Sequence, residues 1–209
     1  MIRPRGFHGT AFGAAPDGDG RRSAASRAAI SHALGIPTRW AYVRQVHGPV
    51  VVRVEKPGLQ GEADAMVTNA PMLPMAVAVA DCVPVVLEGD GAAGIAHAGW
   101  RGAAAGVVAA VIREMEELGS PAQRAAIGPG IGPCCFEVGP EVAARFDGFV
   151  RSTTWGTPSV DLVAALRAQM GGITVWVSPE CTYCGEGYHS FRRDRTKQRQ
   201  VAVAWVPSG

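Results

Sequence analysis

His47, Cys82 and His97 are the residues of this chain whose types and positions suit a metal ion. Each histidine closes an apolar strand-like run and precedes a glycine or a small residue. Strand ends are where open α/β architectures place their sites. Cys82 follows Asp81 between two apolar runs, and a carboxylate in a buried run needs a partner or a function. Two imidazoles and one thiolate suit zinc, and three protein ligands leave a fourth position open, as a catalytic zinc requires. Spacings of 35 residues (82 − 47) and 15 residues (97 − 82) match no local zinc motif. A satisfied structural histidine and a buried thiol acting as a small hydrophobe are the alternatives at these positions.

The other titratable groups carry weaker signals. His32 sits within an alanine-rich helix, where solvent exposure is expected, and His8 lies in an unpatterned stretch. Cys134-Cys135 is a vicinal pair and Cys181-Thr-Tyr-Cys184 a C-x-x-C pair. A four-cysteine zinc ribbon wants two C-x-x-C knuckles, and one is present. A redox or metal-storage protein built on these four would hold more than one metal per chain. Arg44, Arg101, Arg192 and Arg193 stand beside glycines, histidines or strand ends. A phosphate substrate wants two such forks together, because guanidinium binds phosphate bidentately. A multicopper oxidase needs roughly ten histidines and His-x-His pairs. This chain has five histidines and no His-x-His, which excludes blue-copper laccase chemistry.

The elements that must position these groups follow from the apolar pattern. The 209 residues are 47% hydrophobic and 18% charged, enough for one domain spanning 1–209 with a substantial core. A net charge of +2 gives no field that would favour nucleic acid or an acidic membrane. Met1 to Gly13 carries charged or titratable groups before any apolar run, and the apolar window Ala70 to Leu87 contains Asp81 and three prolines. A cytoplasmic chain without a membrane span is therefore expected, and the five cysteines are not expected to form a disulfide framework. Ser23 to Leu34 reads as a helix closed by Gly35. Ala41 to Val46 and Val50 to Glu55 flank His47-Gly48-Pro49 and read as strand, turn and strand, a hairpin-like pair. Ala65 to Thr68, Met75 to Ala80, Val83 to Glu88 and Gly94 to Ala98 read as buried strands. A helix then runs to Leu118, with Val108, Val111, Ile112, Met115 and Leu118 on one stripe. Ala125 to Ile127, Ile173 to Val177 and Val201 to Trp205 read as strands, and Pro140 to Phe146 and Asp161 to Met170 as short helices. The irregular mixture predicts an α+β fold of mixed sheets covered by helices.

Taken in order, Gln45-Val-His-Gly48, Ala63-Asp-Ala65, Ala80-Asp-Cys-Val-Pro84, His97-Ala-Gly-Trp-Arg-Gly102, Gly128-Pro-Gly-Ile-Gly-Pro133 and Cys181-Thr182 form a distinctive set. It resembles the family long described as polyphenol oxidase or laccase-domain proteins and now regarded as purine nucleoside phosphorylases. The resemblance implies a four-layer αββα sandwich and a zinc ion on His47, Cys82 and His97, with copper as an in vitro substitute. It further implies phosphorolysis of adenosine, inosine, guanosine and methylthioadenosine, and hydrolytic deamination of adenosine. Small-molecule nucleosides and phosphate are the expected partners, in a monomer or small homo-oligomer. The chain departs from the family at His189, where an aromatic residue is usual, and at Lys197-Gln-Arg-Gln200, which replaces a Gly-Arg-Gln ending.

Deamination needs an activated water and a group that carries protons, for which Asp81 is the nearest candidate in sequence. Phosphorolysis needs a phosphate held beneath the sugar's anomeric carbon, with Arg44 and Arg101 as candidates. A cysteine hydrolase or amidase with Cys82 as nucleophile and His97 as base is the rival reading. Asp81 would be its orienting carboxylate, although neighbouring strand residues point to opposite faces. A role in cell-wall precursor editing is the other alternative that the resemblance brings.

Overall fold

Runs of four to seven apolar residues, punctuated by glycine and proline, are too short for helices and become strands. The computed structural model describes residues 1–14 and 23–208, so residues 15–22 and 209 of the expected 1–209 domain lie outside it. In chain order the elements are β1 (Thr10–Ala14), α1 (Ala24–Leu34), β2 (Ala41–Arg44), β3 (Val51–Arg53), β4 (Gly58–Glu62), β5 (Ala65–Thr68) and β6 (Met75–Val79). Then come β7 (Val83–Gly89), β8 (Ala93–Ala98), α2 (Trp100–Ala104), α3 (Val107–Glu117), β9 (Ala122–Ile127) and α4 (Pro140–Ala143). The remainder is β10 (Val150–Ser152), β11 (Pro158–Val160), α5 (Leu162–Ala168), β12 (Thr174–Val177), α6 (Phe191–Asp194) and β13 (Gln200–Ala204). Among the described residues the strands form one sheet in the order β1-β13-β6-β2-β4, a second in the order β12-β9-β7-β8-β5-β3, and a β10-β11 ribbon.

Alternation along the strands stacks these sheets. On β13, Val201 and Val203 pack with Ile30 and Leu34 of α1, while Ala202 and Ala204 pack with Val86, Ile95 and Ala126 of the other sheet. On β7, Val85 and Leu87 face Val108, Val111 and Met115 of α3. The result is the αββα order of layers. Both sheets are covered on both faces, so β6 is buried throughout and β7 through its first six residues. That is why these strands read as unbroken apolar runs rather than as alternating ones.

Two local expectations are corrected. The pair around His47-Gly48-Pro49 is not a hairpin: β2 runs parallel to β4 and β6 in the first sheet, and β3 parallel to β5 in the second. The chain crosses between sheets at His47, whose φ of 65° is left-handed. A second crossing, from β6 to β7, carries Asp81 and Cys82. The helix expected up to Leu118 is two helices, because Gly106 at φ 80° breaks it between α2 and α3. These helices still make the crossover from β8 to β9, which are parallel because each runs antiparallel to β7. Among the described residues, no helix is long and apolar enough to cross a membrane.

Candidate metal centre

Three chain segments deliver the donors. His97 lies near the end of β8, Cys82 just before β7, and His47 in the crossing between β2 and β3. Their ligand atoms all lie within 4.8 Å of one another. His97 is buried, Cys82 half-buried and His47 exposed, so the cluster is open on one side. The two imidazoles meet edge to face, with centroids 4.8 Å apart. Gly99 makes room for this: a Cβ there would stand 3.0 Å from His47 Cδ2 and 3.1 Å from Cys82 Sγ.

Asp64 organises the cluster and was not assigned a role from the sequence. Its fully buried carboxylate accepts the backbone N–H groups of Val46 (3.1 Å), His47 (2.9 Å) and Gly48 (2.7 Å). It also lies 2.7 Å from His97 Nδ1, which leaves Nε2 for Cys82 and a metal. One side chain therefore shapes the His47 turn and orients the His97 ring. The available signal was a single carboxylate between alanines in an apolar run, Ala63-Asp-Ala65. Gln45 adds a second brace: its amide donates to Ala78 O (2.9 Å) and accepts from Ala78 N (3.0 Å), as a neighbouring strand would.

The electrostatics favour a thiolate. Burial acts to raise the Cys82 thiol, but the imidazoles of His97 and His47 outweigh it and hold it at about 6. Burial acts to lower His97, but Cys82 and Asp64 raise it to about 9. Burial likewise works against the Asp64 carboxylate, which His97 and the turn amides hold below the usual range. Two imidazoles and a thiolate, one imidazole backed by a carboxylate, fit a zinc ion.

His47 and Cys82 border two cavities. The larger, of about 660 Å³, is also lined by Tyr42, Arg44, His97 and Phe191. The smaller, of about 200 Å³, is lined by Asp81, Trp100, Arg101, Ile131 and Arg192. Arg44 and Arg101 therefore face different cavities, Arg44 sharing the larger with Arg199 and Arg101 the smaller with Arg192. Arg44 is exposed and pairs with Glu62 at 3.2 Å, while Arg101 stacks on Trp100, 4.4 Å from the ring centre. Arg193 is committed to the carbonyls of Thr182, Tyr183, Gly185 and Tyr188 and to Asp194. Asp81 takes φ 82° and is buried. Its Oδ1 accepts the Thr182 hydroxyl (2.8 Å) and its Oδ2 the Arg192 N–H (2.7 Å). It does not touch His97, so the carboxylate orienting that ring is Asp64. His32 is exposed, as expected of it, and so is His8. Phe191, exposed and shared by both cavities, gave no signal in the sequence.

The family described as multi-copper polyphenol oxidoreductase laccase matches residues 5–207. Over 197 residues the chain is 39% identical to a protein of Streptomyces coelicolor named purine nucleoside phosphorylase, covering 87% of this chain and 81% of that one. A protein of Deinococcus radiodurans with the same name is 38% identical over 203 residues, covering 90% and 79%. The solved structure of YlmD from Geobacillus stearothermophilus superposes with a TM-score of 0.81 at 30% identity, covering 91% of this chain and 82% of that one.

Proposed function

The chain belongs to the multi-copper polyphenol oxidoreductase laccase family, and from that premise we propose that it is a zinc-dependent purine nucleoside phosphorylase. The observation that carries the reading is a three-donor centre bordering two cavities. One cavity has the volume of a small-molecule site, and the other presents two guanidinium groups. The similarity to proteins named purine nucleoside phosphorylase supports the same activity. The copper in the family description finds little support here, since a multicopper site would need roughly ten histidines.

His47, Cys82 and His97 would hold zinc, and copper could take the same donors in vitro. Bound there, zinc supplies Lewis acidity and lowers the pKa of a water towards about 7. The chain's own residues do the rest. Tyr42 and Phe191 offer aromatic surface to a purine in the larger cavity. Arg101 and Arg192 hold phosphate in the smaller one, and Arg44 attracts the anion at the mouth of the larger. Each Asp81 oxygen keeps a lone pair beyond its one hydrogen bond, so Asp81 is the proton carrier assigned to adenosine deamination. The proposed substrates are adenosine, inosine, guanosine and methylthioadenosine.

The test is to incubate each nucleoside with and without phosphate. Free purine base and ribose 1-phosphate are expected, or the methylthio sugar phosphate from methylthioadenosine. Adenosine should also give inosine without phosphate. Base release that consumes no phosphate would overturn phosphorolysis. Arg101→Ala should raise the phosphate KM by about 10- to 100-fold, as expected for losing a charge-assisted contact. Its melting temperature should barely move, because the side chain is exposed. Unchanged phosphate dependence would remove Arg101 from the mechanism.

One observation favours a second reading. Asp64, His97 and Cys82 form a carboxylate–imidazole–thiol series, with the thiol held at about 6. That is the order of groups a cysteine hydrolase uses.

A further inference from the structure

The four cysteines that the centre does not use converge elsewhere. Cys134 and Cys135 follow β9, while Cys181 and Cys184 follow β12. Those strands are parallel neighbours, with Val177 opposite Ile127, so both loops leave the same edge of the second sheet. The backbone then joins them, as Thr182 N–H donates to Gly130 O at 3.0 Å. Counting C-x-x-C knuckles argued against a four-cysteine site, because a vicinal pair stands where a second knuckle was sought.

The sulfurs are arranged as ligands. All four Sγ atoms lie within 4.8 Å of one another. Cys184 Sγ is 3.3 Å from Cys135 Sγ and 3.8 Å from Cys134 Sγ, and all four are free thiols. Four sulfurs about 2.3 Å from a tetrahedral zinc stand about 3.8 Å apart. Gly132 N–H donates to Cys181 Sγ at 3.2 Å, which supports a thiolate there. Gly185 N–H closes the turn onto Cys181 O at 2.9 Å. Soft thiolates in a tetrahedral set select zinc or iron, and four protein ligands close the site to substrate.

We propose that Cys134, Cys135, Cys181 and Cys184 form a second, structural zinc site. Binding releases the thiol protons to solvent and fastens the loop after β9 to the loop after β12. The second loop carries Thr182, which donates to Asp81, and leads into α6, whose Arg192 borders the smaller cavity. The site thus holds a wall of that cavity without touching substrate.

The test is zinc content by mass spectrometry, with thiol titration, on full-length protein expressed with zinc. The wild type should hold about two zinc ions per chain, and Cys82→Ala about one. Cys134→Ser/Cys184→Ser should lose the second ion. Cobalt reconstitution of Cys82→Ala should give intense visible tetrathiolate absorption, and the double variant should not. Because Cys82→Ala removes the other centre, failure of that centre leaves this result unchanged. If the double variant does not fold, the Cys82→Ala metal count and cobalt spectrum still decide. A metal-free Cys82→Ala with four reactive thiols, iron in place of zinc, or a disulfide among the four would each overturn the proposal.

Discussion

Chelation should lower nucleoside turnover by at least about 10³-fold, and added zinc should restore it. The magnitude follows from the several kcal/mol that a Lewis acid contributes to a developing charge. The same experiment separates the two readings of Cys82. A thiol nucleophile oriented through His97 and Asp64 needs no metal, and its activity would survive the chelator. Substitution gives an independent arm. Cys82→Asp or Cys82→His should keep part of the metal and part of the activity, because carboxylate and imidazole also bind zinc. Neither replacement could form the covalent intermediate of a cysteine enzyme. Full activity in metal-free protein would overturn the zinc reading.

Asp64→Asn should cost about 3–5 kcal/mol of stability, the range for breaking a buried charge pair on one side. The carboxylate serves four donors at once, and an amide turns two of its own donors toward them. Zinc affinity should fall by about 10- to 100-fold, because the ring of His97 loses the group that sets its orientation. Urea unfolding and zinc titration measure the two effects separately. Unchanged values in both would mean that the turn and the ring are held by something other than Asp64.

The parts that were legible in the sequence are those with one physical solution. β5 to β8 read as strands because burial on both faces demands uninterrupted apolar residues. The stripe on α3 fixed its buried face, and Gly119 its end. The donor types at His47, Cys82 and His97 were visible, whereas their meeting depends on how the sheets stack. Two apolar runs about a Gly-Pro turn look the same whether the chain returns beside itself or crosses to another sheet, which explains the misread hairpin. β4 is polar and glycine-containing because it is an edge strand, so it carried no strand pattern. Asp64 was visible as an oddity, but its partners at 46–48 and 97 are brought to it only by the fold. The four cysteines could be grouped by type alone, but their convergence was not legible for the same reason, since parallel pairing of β9 and β12 joins segments about fifty residues apart.

Among the crossings between the sheets, the one from β2 to β3 carries His47 and the one from β6 to β7 carries Cys82, and this bears on the order of events during folding. Once β7 pairs with β8 in the second sheet, Pro84 lies opposite His97 and Cys82, two residues before it, is already beside that ring. His47 is the donor that arrives separately, carried by the crossing from β2 in the first sheet to β3 in the second. Completion of the three-donor set at this centre therefore reports that the β2–β3 crossing has formed. A chain without that crossing presents two donors instead of three and competes less well for a scarce ion.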